Sequence, residues 1–341
     1  MKIGIDVDSG ERSFEELVRG ALKSTQLLQD LSVFLIGKSD RIKNSFPAID
    51  KLNNIFLVDS KDVITMDESP IVAIKKKRDA TVMTGCKLLK NNTIDVFFSP
   101  GNTGATVAAS VLTLGMIKGI KKPTMAAFFP RIGGSETLIL DIGANPEISY
   151  ESLYQSAVLG QAYYRIVHDR MDPTIGLLNM GAELGKGSTN LKKAFEKLSD
   201  MPSFIGNVEG YNVLNGSVDV VVCDGFTGNS ILKFAEAMKE YFTSTMKEVF
   251  DLSSLRPSSE TFFSHTLNKL GFNKERAKLL YERLTPKFYG SAPLLGVNGT
   301  VLIGHGMCSE AELINSVHLA HKLHKNKYLY KIISNVNSMK D

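Results

Sequence analysis

Along the first two-thirds of the chain, short apolar runs alternate with longer segments in which apolar residues recur every three or four positions. The short runs suit buried strands and the longer period suits amphipathic helices. The pattern predicts strands at Lys2 to Asp6, Ser32 to Gly37, Ile55 to Val58, Ile94 to Ser99, Met125 to Phe129, Thr137 to Asp141, Thr174 to Asn179, Phe204 to Gly206 and Asp219 to Cys223. It predicts helices at Ser13 to Gln29, Pro70 to Lys90, Thr103 to Lys118, Glu151 to Val167, Thr189 to Leu198 and Gly228 to Phe250. This alternation is the rhythm of an α/β fold, a largely parallel sheet with helices on both faces. From Leu252 the texture changes. Arg256-Pro257-Ser258-Ser259 breaks the preceding helix, and two polar helical stretches, about Glu260 to Leu270 and Asn273 to Leu284, read as an added helical hairpin. Gly-rich turns at Tyr289 to Gly296, a strand at Thr300 to Ile303 and a helix from Ser309 complete the pattern. No linker divides it, so residues 1–341 read as one α/β unit with a hairpin extension at about 251–286.

Composition narrows the function classes. A chain of 341 residues that is 43% hydrophobic buries a sizeable core, which excludes disorder. A net charge of +4 is too small to mark a nucleic-acid binder. Cys86, Cys223 and Cys308 lie far apart without a C-x-x-C pair, so neither a disulfide framework nor a metal site is indicated, and a reducing, cytoplasmic setting fits best. No run of about 18 apolar residues spans a bilayer, and the first residues lack a signal-peptide pattern. Any membrane contact would therefore be peripheral.

The chemistry gathers where strands hand over to helices. Asp95 to Gly104 and Asp219 to Gly228 align at a constant offset, each a strand followed by a G-x-T-G turn and a helix. Free N–H groups and the dipole at a helix start favour an anion. Gly101, Asn102, Thr103 and Gly104 in one turn, and Gly225, Thr227 and Gly228 in the other, are thus phosphate-binding candidates, both expected on the carboxyl side of one sheet. A third junction, Leu177 to Thr189, resembles a Walker A loop but has one residue too few between its first glycines, and Gly187 separates Lys186 from Ser188. ATP hydrolysis is not indicated; what remains is Lys186 on a flexible turn, able to neutralise a phosphate or oxyanion. Asp141 and Asn145 occupy a fourth turn, as substrate or orienting groups. The first turn, Asp6-Val7-Asp8-Ser9-Gly10-Glu11, lacks G-x-G-x-x-G, so a nicotinamide cofactor gains no support. His318, His321 and His324 read as a solvated helix face; His305 is the histidine placed to reach the crevice.

Ser99-Pro100-Gly101-Asn102-Thr103-Gly104-Ala105, Leu140 to Asn145, Phe204 to Glu209, Asp224 to Asn229 and Gly290 to Gly296 occur in the order and spacing of the bacterial acyl-acyl carrier protein:phosphate acyltransferases, the PlsX family, which the chain resembles over most of its length. The resemblance implies a fold similar to isocitrate and isopropylmalate dehydrogenases. It implies transfer of a fatty acyl group from the thioester of acyl carrier protein to inorganic phosphate, giving acyl phosphate for phospholipid synthesis. It also implies a homodimer, peripheral contact with an anionic membrane and no cofactor. By position, Lys186 and Asn229 match residues of the family's active site, and Lys75, Lys76, Lys77 and Arg78 match a basic run suited to the acidic carrier protein. The chain departs from the family in its first loop. Where Asp-Ala-Met-Gly-Gly-Asp is usual, it keeps Asp6 and Gly10 but has Asp8 for Met, Ser9 for Gly and Glu11 for the second Asp. Gly185 stands where a second lysine is common.

Overall fold

The computed structural model describes residues 1–250 and 290–338. Eleven strands are β1 (Lys2–Asp6), β2 (Ser32–Gly37), β3 (Ile55–Asp59), β4 (Val96–Ser99), β5 (Thr124–Pro130), β6 (Glu136–Leu140), β7 (Ile175–Leu178), β8 (Phe204–Val208), β9 (Val220–Val222), β10 (Ser291–Leu295) and β11 (Thr300–Gly304). The helices are α1 (Phe14–Leu27), α2 (Ser39–Ser45), α3 (Pro70–Lys76), α4 (Thr81–Lys90), α5 (Thr103–Leu114), α6 (Tyr150–His168), α7 (Thr189–Leu198), α8 (Asn212–Asn215), α9 (Gly225–Phe250), α10 (Glu310–Lys325) and α11 (Tyr328–Ser338). The expected α/β alternation holds. The hairpin expected at 251–286 lies outside the described residues.

The strands form one sheet in the order β3-β2-β1-β4-β11-β10-β5-β6-β9-β7-β8. Alternate strand residues face opposite layers, so Ile3, Ile5, Val96 and Phe98 join the core beneath α1, α6, α10 and α11, while Phe97 and Ile36 join the core beneath α3, α4 and α5. Pairing is parallel except at three consecutive contacts, β11 with β10, β10 with β5, and β5 with β6. Three reversals in succession mean that β4 and β9 run in opposite senses. The two G-x-T-G turns therefore leave opposite edges of the sheet, which corrects the expectation that they share one side.

Local chemistry explains the other differences. Ser291–Leu295 lies in the stretch Tyr289 to Gly296 expected as Gly-rich turns, yet it is a strand bonded to β11. Its pairing with β5 is confined to Leu294 and Leu295 and stops beside Pro293, which has no N–H to offer. The single helix expected over Pro70 to Lys90 is two. Lys77 turns back to bond the Val63 carbonyl and the Glu68 carboxylate, and the Thr81 N–H bonds the Asp62 carbonyl, so tertiary contacts override the helical period between them. The helix from Ser309 opens with a capping box of Ser309 and Glu312, as its sequence directs, but ends at Lys325 before α11.

Helix α9 begins at Gly225, three residues earlier than expected, so G-x-T-G is its first turn and not a loop ahead of it. There Gly228 packs so closely on the preceding strand-end turn that a Cβ would collide with the carbonyl oxygen of Asp141. Backbone cannot yield as a flexible side chain does. Gly228→Ala is expected to destabilise the fold by about 1–3 kcal/mol or to displace α9, measurable by urea unfolding; unchanged stability would contradict this packing.

Candidate functional site

The end of β6 is built around Asp141, whose side chain is fully buried. One carboxylate oxygen accepts from the N–H groups of Met125 (3.1 Å), Gly143 (3.0 Å) and Ala144 (2.9 Å), the other from the Asn145 N–H and its side-chain amide (both 2.9 Å). Burial still outweighs these donors and raises the pKa of Asp141 above the usual carboxylate range. Asp141 and Asn145 are thus turn-formers. Their turn seats α9: the Gly225 N–H donates to the Asn145 carbonyl at 2.8 Å, and Asn229 lies over Gly143.

The start of α9 does not offer what the sequence promised. Asp224 is its N-cap and accepts from the Thr227 N–H at 2.7 Å, while the Gly228 N–H bonds the Asp224 carbonyl at 3.0 Å. Three of the four N–H groups from Gly225 to Gly228 are engaged, and the cap is itself an acid. The phosphate role expected of Gly225, Thr227 and Gly228 is therefore unsupported. The signal was in the sequence, since Asp before a helix start is a preferred N-cap.

Beside this helix start, a cavity of about 450 Å³ is lined by Leu178, Asn179, Met180, Leu191, Cys223, Asp224, Thr227 and Ile231 among others. The Lys186 turn borders it: the Asn179 side-chain amide donates to the Lys186 carbonyl at 3.0 Å, and Gly187, at φ +86°, lines the wall. The Lys186 side chain is exposed. Cys223 is buried with its thiol pKa pushed well up, and burial raises those of Cys86 and Cys308 to about 12. None of the three cysteines is a thiolate near neutral pH.

At the other edge, β3-β2-β1-β4 are all parallel, and the direction of strand progression reverses between β1 and β4. Ligands of open α/β sheets bind at such a switch point, outside the strand carboxyl ends. Here that place lies between the Asp6–Glu11 loop and the Gly101–Gly104 turn. Asn102 caps α5 by accepting the Ala105 N–H at 3.0 Å, and its amide donates to the carbonyls of Thr65, Met66 and Glu68. No acid occupies the first turn of α5, and among the described residues no acceptor engages the N–H of Thr103 or Gly104. This end keeps its donors and its dipole available.

Beneath it, buried Asp6 accepts from Ser99 Oγ (2.9 Å), Thr81 Oγ1 (3.0 Å), the Ser9 N–H (3.2 Å) and the Asp8 N–H (3.3 Å). Ser99 Oγ in turn accepts the Gly101 N–H at 3.2 Å. Sequence reading missed Thr81 and Ser99, because nothing local marks a threonine and a serine that converge from different elements. The residues by which this loop departs from the resembled pattern find partners: Ser9 Oγ bonds Thr81 Oγ1 at 2.6 Å, and Asp8 accepts the Lys38 N–H at 2.7 Å and faces Arg41. Of the basic run at the end of α3, Lys75, Lys76 and Arg78 are exposed, whereas Lys77 is paired with Glu68 at 2.6 Å.

The structure thus brings together Asp141, Asn145, Gly225, Thr227, Gly228 and Asn229, with the Lys186 turn beside them, and holds Gly101 to Gly104 at a separate edge. The model of the fatty acid synthesis protein family matches residues 1–331. The chain belongs to that family of acyltransferases. It is 37% identical over 340 residues to a phosphate acyltransferase of Caldanaerobacter subterraneus, covering 97% of this chain and 96% of that one, and 36% identical to the phosphate acyltransferase of Thermoanaerobacter pseudethanolicus, covering 100% and 99%. The fold is similar to a branched-chain phosphotransacylase from Enterococcus faecalis (TM-score 0.60, 13% identity, covering 94% of this chain and 98% of that one). It is also similar to a 4-hydroxythreonine-4-phosphate dehydrogenase from Burkholderia phymatum (TM-score 0.51, 12% identity, covering 94% and 98%).

Burial raises the pKa of Asp6 to about 6, despite its four hydrogen bonds. A carboxyl that is harder to ionise in the folded state adds stability below its unfolded pKa of about 4, and loses that contribution as pH rises through about 6. Compared with Asp6→Asn, the unsubstituted protein is therefore expected to gain stability as pH falls from 7 to 4, by on the order of 3 kcal/mol. Urea unfolding of both proteins across this range checks it; a difference independent of pH would contradict it.

Proposed function

We propose that the chain transfers an acyl group from a thioester of acyl carrier protein to inorganic phosphate. The observation that carries the reading is the pair of N–H groups of Thr103 and Gly104 that no acceptor engages among the described residues, at a helix start on the topological switch point of a fold shared with phosphotransacylases. Phosphate is assigned to this end, with Thr103 and Gly104 as donors, and the acyl chain of the thioester to the cavity beside Lys186 and Asn229, so that its carbonyl carbon has to reach within about 3.5 Å of the bound phosphate for attack.

The reaction needs no protein nucleophile, which agrees with the un-ionised thiols. A phosphate oxygen attacks the thioester carbonyl carbon, a tetrahedral oxyanion forms, and the C–S bond breaks to release the pantetheine thiolate. A leaving thiol with a pKa of about 8.5 needs little help from an acid. What the protein supplies is position and charge stabilisation. Lys186 offers a cation on a turn shaped by Gly185 and Gly187, and the Asn229 amide an N–H donor, to the carbonyl oxygen as it becomes negative. Asp141 and Asn145 act through α9 by fixing where Asn229 stands, and Gly225 and Gly228 by letting the helix approach.

Lys75, Lys76 and Arg78 border the same edge, since α3 packs on α5 and Pro70 lies against Gly104. They form a docking face for the acidic carrier protein, with an attraction that weakens as salt rises. Exposed Phe226, Phe234 and Tyr241 along α9 support a second copy of the chain as its partner, which sedimentation checks. Among the described residues no helix is long and apolar enough to cross a membrane; contact with an anionic membrane would be peripheral, and liposome flotation checks that.

Acyl phosphate trapped with hydroxylamine tests the reading. Product is expected from long-chain acyl carrier protein and phosphate, with a KM for the carrier that rises with salt. Lys186→Ala and Asn229→Ala are each expected to lower turnover by about 10²–10³. Product from short-chain acyl-coenzyme A alone would instead mark a short-chain phosphotransacylase. No product from either donor would mark a carrier-protein or membrane scaffold.

A further inference from the structure

Between the two edges lies one contact that neither cluster explains. Helix α9 starts on the β6–β9 side, and two turns later Lys233 Nζ stands 3.5 Å from His305 Nε2, on the turn after β11. That turn belongs to the switch-point edge. β11 pairs with β4 through Ile303 and Ser99, and Gly306 accepts N–H bonds from Glu11 and Arg12. His305 and the Gly101–Gly104 turn thus leave neighbouring parallel strands at the same edge. Lys233 is four residues from Asn229, so the two share one face of α9.

The tautomer of His305 is set by its own backbone. The Met307 N–H donates to His305 Nδ1 at 3.1 Å, so Nδ1 must be an acceptor. A neutral imidazole with an accepting Nδ1 carries its proton on Nε2, and that N–H points at Lys233. The ammonium of Lys233 has donors only; one bonds Glu236 at 2.8 Å and the others are left over. Two donors therefore face one another across 3.5 Å, a geometry that neither can satisfy with the other. Both side chains are exposed, so the acceptor that resolves it comes from solvent, as water or a shared anionic oxygen. The ammonium of Lys233, though paired with Glu236, and the start of α5 on the adjoining strand both favour an anion.

We propose that Lys233 and His305 form a seat for a phosphate-type oxyanion at the junction of the two edges, completing the donor set of Thr103 and Gly104. The inference rests on the acyltransferase reading for its ligand. The oxyanion is either the free phosphate substrate or the phosphodiester of the pantetheine arm, which have the same recognising chemistry. The seat also gives α9 a double role, with Asn229 toward the thioester and Lys233 toward the phosphoryl group.

Long-range ¹H–¹⁵N correlation on ¹⁵N-histidine protein tests it without turnover, with the signal assigned by His305→Gln. His305 is expected to show the Nε2–H form and a saturable shift on titration with inorganic phosphate, or with pantetheine 4′-phosphate if the seat serves the donor. Lys233→Ala is expected to weaken that titration at least about tenfold and to raise the KM of the same ligand by a similar factor, with a smaller change in kcat. Circular dichroism of the variant shows that it is folded, and Lys233→Arg is expected to restore binding in part. No shift at His305 with either probe, or unchanged affinity and KM in Lys233→Ala, would overturn the seat. If the unsubstituted protein forms no acyl phosphate yet His305 still titrates, the function reading fails and the seat stands.

Discussion

A buried carboxylate with five hydrogen bonds stands where the sheet changes direction. Asp141 ends the strand that completes the reversal, draws in the N–H of Met125 from the neighbouring strand, and closes its own turn by binding Gly143, Ala144 and Asn145. Taking a charge-bearing group out of water costs several kcal/mol unless donors replace the water, and here four backbone N–H groups and the Asn145 amide offset part of that cost. The turn so formed is the bed on which α9 lies. From there the helix carries Asn229 over the β6–β9 cluster and Lys233 to the switch-point edge. Two half-sheets whose loops leave opposite edges are thus linked by one helix.

The same short motif serves two ends. After β4, G-x-T-G leads into a helix capped by a neutral Asn102, and the next amides keep their hydrogen-bonding capacity. After β9, it lies inside the helix, its glycines spent on close packing and its amides on an acidic cap. The caps stand at different places, Asn102 as the second residue of its motif and Asp224 just ahead of the other, and the second helix start also gives its Gly225 N–H to the Asn145 carbonyl.

The α/β alternation, most strands and the positions of the site turns were legible from apolar period and punctuation, because buried parallel strands and amphipathic helices carry strong local signals. The reversal of the sheet was not, since it depends on β10, a strand disguised by Pro293 and glycine, and on pairings between distant segments. Lys77 illustrates the same limit within a helix: its period was helical, but its contacts with Val63 and Glu68 ended α3 there. Among the candidate residues, the spatial grouping was not legible. Asp6, Thr81 and Ser99 converge from three elements, and His305 acquires its donor tautomer from a backbone N–H two residues on. Five motif blocks in register mark the chain's family, yet they carry no information on how its loops group in space.

The division of labour across α9 has one direct measurement, a crystal structure of the chain grown with inorganic phosphate. A tetrahedral ion bonded to the Thr103 and Gly104 N–H groups at the start of α5, with Lys233 and His305 at its outer side, is the expected result. An ion at the start of α9, with Asp224 displaced from the Thr227 N–H, would contradict it.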